Sequence, residues 1–90
     1  MAKLLISYDL RVPGRNYQPL YDRLKAWGAF RVLESVWTTN TTSNASGVRD
    51  DLKNHIDSND GLLVVGLDGS GAWNELISSS GPRLKTMLEA

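Results

Sequence analysis

Apolar residues first recur with a period of two over residues 3–9. Leu4, Ile6 and Tyr8 fall on one face, and Leu5, Ser7 and Asp9 on the other. This alternation predicts a first strand. The Pro13-Gly14 pair then marks a turn. From Tyr17 the period changes to that of a helix, with Leu20, Tyr21, Leu24 and Trp27 completing one apolar stripe. Asn16 or Gln18 stands near its cap, and Pro19 occupies the first turn, where a missing N–H costs nothing. Gly28 sits where a helix C-terminus wants a left-handed residue.

Residues 30–40 are rich in Phe, Val, Trp and Thr and are therefore extended. They are expected to form two strands that break near Glu34-Ser35, the second spanning 36–40. Ser43 or Asn44 can cap a second helix, whose narrower apolar stripe is Val48, Leu52 and Ile56. The polar run 57–61 ends it.

Residues 62–67, Leu-Leu-Val-Val-Gly-Leu, are apolar on both faces. A strand of this kind requires cover on both sides of its sheet. Two helices can cover one face. Only the C-terminal tail or a second subunit is left for the other, so a homodimer is expected. Residues 68–71 are a turn, and 72–77 are ambiguous between strand and helical turn. Ser78-Ser79-Ser80-Gly81-Pro82 breaks the chain before a last helical turn or two carrying Leu84, Met87 and Leu88. The order β-α-β-β-α-β predicts an α+β, ferredoxin-like domain with an antiparallel sheet over residues 1–90, with a short C-terminal extension.

Ninety residues fit one domain. A chain this short buries only about two-thirds of its unfolded surface, so its core needs a supplement. Cysteine is absent, which excludes disulfides and thiolate metal sites and leaves a partner subunit as that supplement. Ten Lys/Arg balance ten Asp/Glu, so no overall charge draws the chain to nucleic acid or to an anionic membrane. The opening apolar run is too short for a signal peptide or a membrane span, and a cytoplasmic location is the expectation.

With one histidine and no cysteine, structural zinc sites and Cys-His nucleophilic pairs are ruled out. His55 reads as a core or boundary histidine on the second helix. Gly66-x-x-Gly69-x-Gly71 lacks the Gly-Lys-Ser/Thr of a phosphate loop and reads as a turn. Trp27 and Trp37 lie in apolar patterns that suit core packing, whereas Trp73 is expected to be partly exposed or at an interface.

Asp9 carries the candidate chemistry. One reading makes it a turn former with Arg11 or Arg15 as ion-pair partner. The other uses the expected two-fold symmetry, which brings Asp9 near its own copy. Two close carboxylates repel, and a divalent cation such as Mg²⁺ relieves that repulsion through oxygen ligands. Arg11, Arg15 and Arg31 lie within reach in sequence, and guanidinium groups suit phosphate oxygens. Surface solvation is the ordinary role for Arg11 and Arg15. Arg31, inside a strand, is expected to pair with an acid or to meet the partner.

Ser7-Tyr8-Asp9-Leu10, a helix ending at Gly28, and Arg31-Val32-Leu33-Glu34-Ser35-Val36-Trp37 together resemble the small CRISPR-associated endoribonuclease and adaptation family, the second in its numbered series. Leu33 and Trp37 stand where that family usually has Gln and Phe. The resemblance spans residues 1 to about 67. The Ser-Tyr-Asp-Leu-Arg opening is also similar to the SinR-like group, and toxins of the VapD type are related in fold. The resemblance implies a ferredoxin-like protomer, a dimer joined through sheet faces, and metal binding at Asp9 in nuclease members that cleave RNA or DNA. It equally implies a non-catalytic dimer that bridges a protein partner and holds nucleic acid.

Overall fold

The computed structural model describes residues 1–90 as an α+β domain with one four-stranded antiparallel sheet. In chain order it runs β1 (Ala2–Asp9), α1 (Gln18–Ala26), β2 (Phe30–Leu33), β3 (Val36–Thr41), α2 (Ala45–Leu52), β4 (Gly61–Gly66) and α3 (Gly81–Glu89). The sheet order is β2-β3-β1-β4, so β1 and β3 are central and β2 and β4 are edges. The break between β2 and β3 falls at Glu34-Ser35, where the sequence places it.

The period-two pattern of β1 sorts its residues as expected. Ile6 pairs with Trp37 and Val64, and Leu4 with Thr39, on the face covered by α1 and α2. Leu4, Ile6, Leu20, Leu24, Trp37, Val48 and Leu52 are buried there as the main core. Pro19 lies in the first turn of α1, and Gly28 ends that helix at φ +74°. Asn44 caps α2, its Oδ1 accepting from the Gly47 N–H at 2.8 Å. Asp51 ties the two helices together, accepting from Arg23 Nε at 2.6 Å and from Trp27 Nε1 at 2.7 Å.

The C-terminal extension is a nine-residue helix, Gly81–Glu89. Leu84, Met87 and Leu88 pack with Val32, Phe30, Val36, Leu67 and Leu76 in a second core on the opposite face of the sheet. Lys3 Nζ donates to the Leu88 carbonyl at 2.6 Å and fixes the end of α3 against the start of β1. Residues 72–77 form no strand; they reach a short 3-10 turn over Ile77–Ser79. Trp73 is partly exposed, as expected.

The cover that the apolar strand 62–67 requires is thus supplied by the tail only in part. α3 packs over β2 and β3 and reaches Leu67 at the end of the apolar run, while Leu63 and Val65 on β4 remain 55% and 37% exposed. They pair with Ser7 and Leu5 in one patch of sheet that no element of the chain covers fully. No helix is long and apolar enough to cross a membrane.

Candidate functional site at the end of the first strand

Asp9 is the last residue of β1 and pairs with Gly61 at the start of β4. By the strand period it continues the row of Leu5 and Ser7, on the incompletely covered face. Its carboxylate is exposed, and Oδ2 lies 3.0 Å from Arg11 Nε. Gly61 makes room for this arrangement, because a Cβ there would meet Arg11 Nη2 at 3.0 Å and Asp9 Cβ at 3.4 Å.

Arg11 is held at three points. Besides the Asp9 contact, its Nη1 donates to the Asn59 carbonyl at 3.0 Å and its backbone N–H to Asp60 Oδ1 at 2.7 Å. Asp60 also accepts from the Asp57 N–H at 2.9 Å and the Tyr17 hydroxyl at 3.0 Å. Partial burial by itself pushes the Asp60 carboxyl up. The N–H donors of Arg11 and Asp57, then Tyr17 and the nearby Arg15, outweigh that and hold it below the usual carboxylate value. The Tyr17 hydroxyl is pushed up, first by burial and then by its bond to Asp60. Arg15 pairs with Asp57 at 3.5 Å rather than with Asp9.

Sequence reasoning missed Asp60, which was only part of a helix-ending polar run. The Asp57-x-x-Asp60-Gly61 spacing was the available signal, since short acidic side chains bond back to nearby N–H groups in turns.

Arg31 does not pair with an acid, the first of the two roles expected for it. Its side chain lies on the α1 side of the sheet, with the guanidinium carbon 5.0 Å from the Tyr21 ring centre and 4.9 Å from that of Trp37. Nη2 donates to the Tyr8 hydroxyl at 3.1 Å, which also accepts from Trp37 Nε1 at 3.0 Å. Arg31 and Asp9 nonetheless border one cleft of ≈ 410 Å³, together with Tyr8, Tyr21 and Glu34.

Of the four residues singled out, the structure therefore joins Asp9 with Arg11 and places Arg31 across the same cleft. Arg15 it assigns to Asp57. No group of three or more His, Asp or Glu side chains lies close enough to hold a metal ion. One chain offers a single carboxylate, neutralised by one guanidinium, at the rim of an uncovered apolar sheet patch. No protein-family model matches the chain, and no solved structure matches it.

Proposed function

We propose that this chain is a ferredoxin-like homodimer acting as a metal-dependent endonuclease, with RNA its expected substrate and DNA the competing one. The strand order β2-β3-β1-β4, with α1 and α2 on one face, supports the ferredoxin-like assignment. The observation that carries the functional reading is the position of Asp9. It ends the Leu5–Ser7 row beside Leu63 and Val65, the apolar patch a second copy would cover.

One chain alone does not supply a metal site, because Asp9 is a single carboxylate already engaged by Arg11. The reading therefore requires Asp9 from both copies. Bound between them, Mg²⁺ would supply charge to polarise a phosphate and to lower the pKa of water. Arg11, beside Asp9 at 3.0 Å, would supply a guanidinium for a phosphate oxygen at that site.

A non-catalytic dimer that holds nucleic acid or a protein partner is the second reading. The Asp9–Arg11 ion pair favours it, since the carboxylate is satisfied without a metal, and so does the formal net charge of zero. Incubating labelled single-stranded RNA and duplex DNA with Mg²⁺ or Mn²⁺ separates the two. The nuclease reading expects cutting that requires the cation and disappears in Asp9→Asn. Absence of cutting, or equal cutting by both proteins, contradicts it and leaves the binding role.

A further inference from the structure

A second groove, of ≈ 600 Å³, runs along the β2 edge of the sheet between the end of α1 and the start of α3. Three cations border it: Lys25, Arg31 and Arg83. None of the chain's ion pairs uses any of them, so this positive charge is uncompensated on a chain whose formal net charge is zero. Two of the three are fixed by aromatic rings. Arg83 lies with its guanidinium carbon 4.2 Å from the Phe30 ring centre, and Arg31 sits against Tyr21 and Trp37.

The groove also receives the N-terminus of α3. Its first turn contains no acidic residue, and Ser80 at the cap position makes no side-chain capping bond. The opening N–H groups of a helix lack partners within the helix and carry its positive dipole end. Independently of that, Ser80 borders the groove, is only 9% exposed, and its hydroxyl has no hydrogen-bond partner. A buried hydroxyl left unpaired is uncommon and calls for an explanation.

We infer that this groove binds a phosphate group, held by Lys25, Arg31 and Arg83 at the N-terminus of α3. Three cations and a helix N-terminus suit a dianion, and guanidinium forks match phosphate oxygens. The ring faces of Phe30 and Trp37 are taken up by the arginines or buried, so recognition is of the phosphate and not of a stacked base. The inference goes beyond the nuclease reading, which rests on Asp9 and Arg11.

The test is a titration of ¹⁵N-labelled protein, in metal-free buffer at physiological ionic strength, followed by amide shifts. The probes are inorganic phosphate, uridine 5′-monophosphate, uridine and an oligouridylate octamer. Saturable shifts at Ser80, Gly81 and Arg83 are expected with every phosphate-bearing probe and none with uridine. An octamer binding more tightly than the monophosphate identifies a nucleic-acid strand as the source of the phosphate; equal binding identifies a lone phosphate group. Arg83→Gln and Lys25→Gln, both at exposed positions, should each weaken phosphate binding roughly tenfold, the scale of one lost charge-assisted hydrogen bond. Absent shifts, shifts centred on Arg11 and Arg15, uridine binding as well as its monophosphate, or unchanged affinity in both variants would overturn the inference. Because no divalent cation is present, failure here leaves the cleavage test at Asp9 untouched.

Discussion

The Tyr8 hydroxyl accepts a hydrogen bond from the indole N–H of Trp37 at 3.0 Å, inside the core between the sheet and α1. The same oxygen accepts from Arg31 at 3.1 Å and donates to the Glu34 carbonyl at 3.3 Å. One phenol therefore joins β1, β2 and β3 beside the cleft that Asp9 borders.

Tyr8→Phe keeps the ring and removes this junction, leaving the Trp37 N–H buried without a partner. The expected loss is about 1–3 kcal/mol of unfolding free energy, the usual penalty for an orphaned buried donor. Urea denaturation monitored by tryptophan fluorescence measures it. An unchanged midpoint would mean that the Trp37 N–H finds another acceptor.

Gly28→Ala tests the end of α1. A Cβ at this position has room, its nearest neighbour being Thr39 Oγ1 at 3.9 Å. The penalty is therefore conformational, since φ is +74°. A loss of about 1 kcal/mol is expected in thermal or chemical unfolding. Equal stability of the two proteins would contradict a left-handed residue there.

Acid should loosen the contact between α1 and α2 through Asp51. The hydrogen bond from Arg23 is the main cause holding its carboxyl below the usual value; burial opposes it, and Trp27 adds to it. A depressed folded-state pKa stabilises the fold above the unfolded pKa of about 4. That stability is lost as pH falls from there through the lower folded value. Asp51→Asn should therefore be less stable than wild type at neutral pH, and the difference should shrink below about pH 4. A difference that stays constant across melting curves from pH 7 to pH 3 would contradict the sign.

Much of the fold was legible because period and punctuation agree. The alternation of Leu4, Ile6 and Tyr8, the stripe through Leu20 and Leu24, a cap at Ser43 or Asn44 and Gly28 as stop each act within a few residues of chain. What was not legible depends on distance. Leu84, Met87 and Leu88 gave a helical spacing, but nothing in it said that α3 would cross the far face and leave Leu63 and Val65 exposed. The pairing of Arg11 with Asp9 was one of the alternatives open in the sequence. The engagement of Arg31 with Tyr8, Tyr21 and Trp37 was hidden, because it joins side chains from three strands and a helix. The Asp60 network was hidden for a similar reason: a turn residue gained its role from Arg11 and Tyr17, both more than forty positions away.

Leu63→Lys probes the uncovered patch. Leu63 is 55% exposed within one chain, so the substitution should alter the stability of an isolated protomer by no more than about 0.5 kcal/mol. Within a dimer formed through this patch it would bury two unpaired ammonium groups, and association should fail. Retained circular dichroism with loss of the higher-mass species is the expected pair of results.

The claim on which the functional account depends is that two copies meet through the sheet patch of Leu5, Ser7, Leu63 and Val65. Sedimentation equilibrium of the wild-type chain at micromolar concentration tests it most directly. Twice the 9.9 kDa protomer mass is expected, reverting to one protomer in Leu63→Lys. A wild-type chain that sediments as a monomer throughout that range would contradict it, and with it the pairing of Asp9 residues.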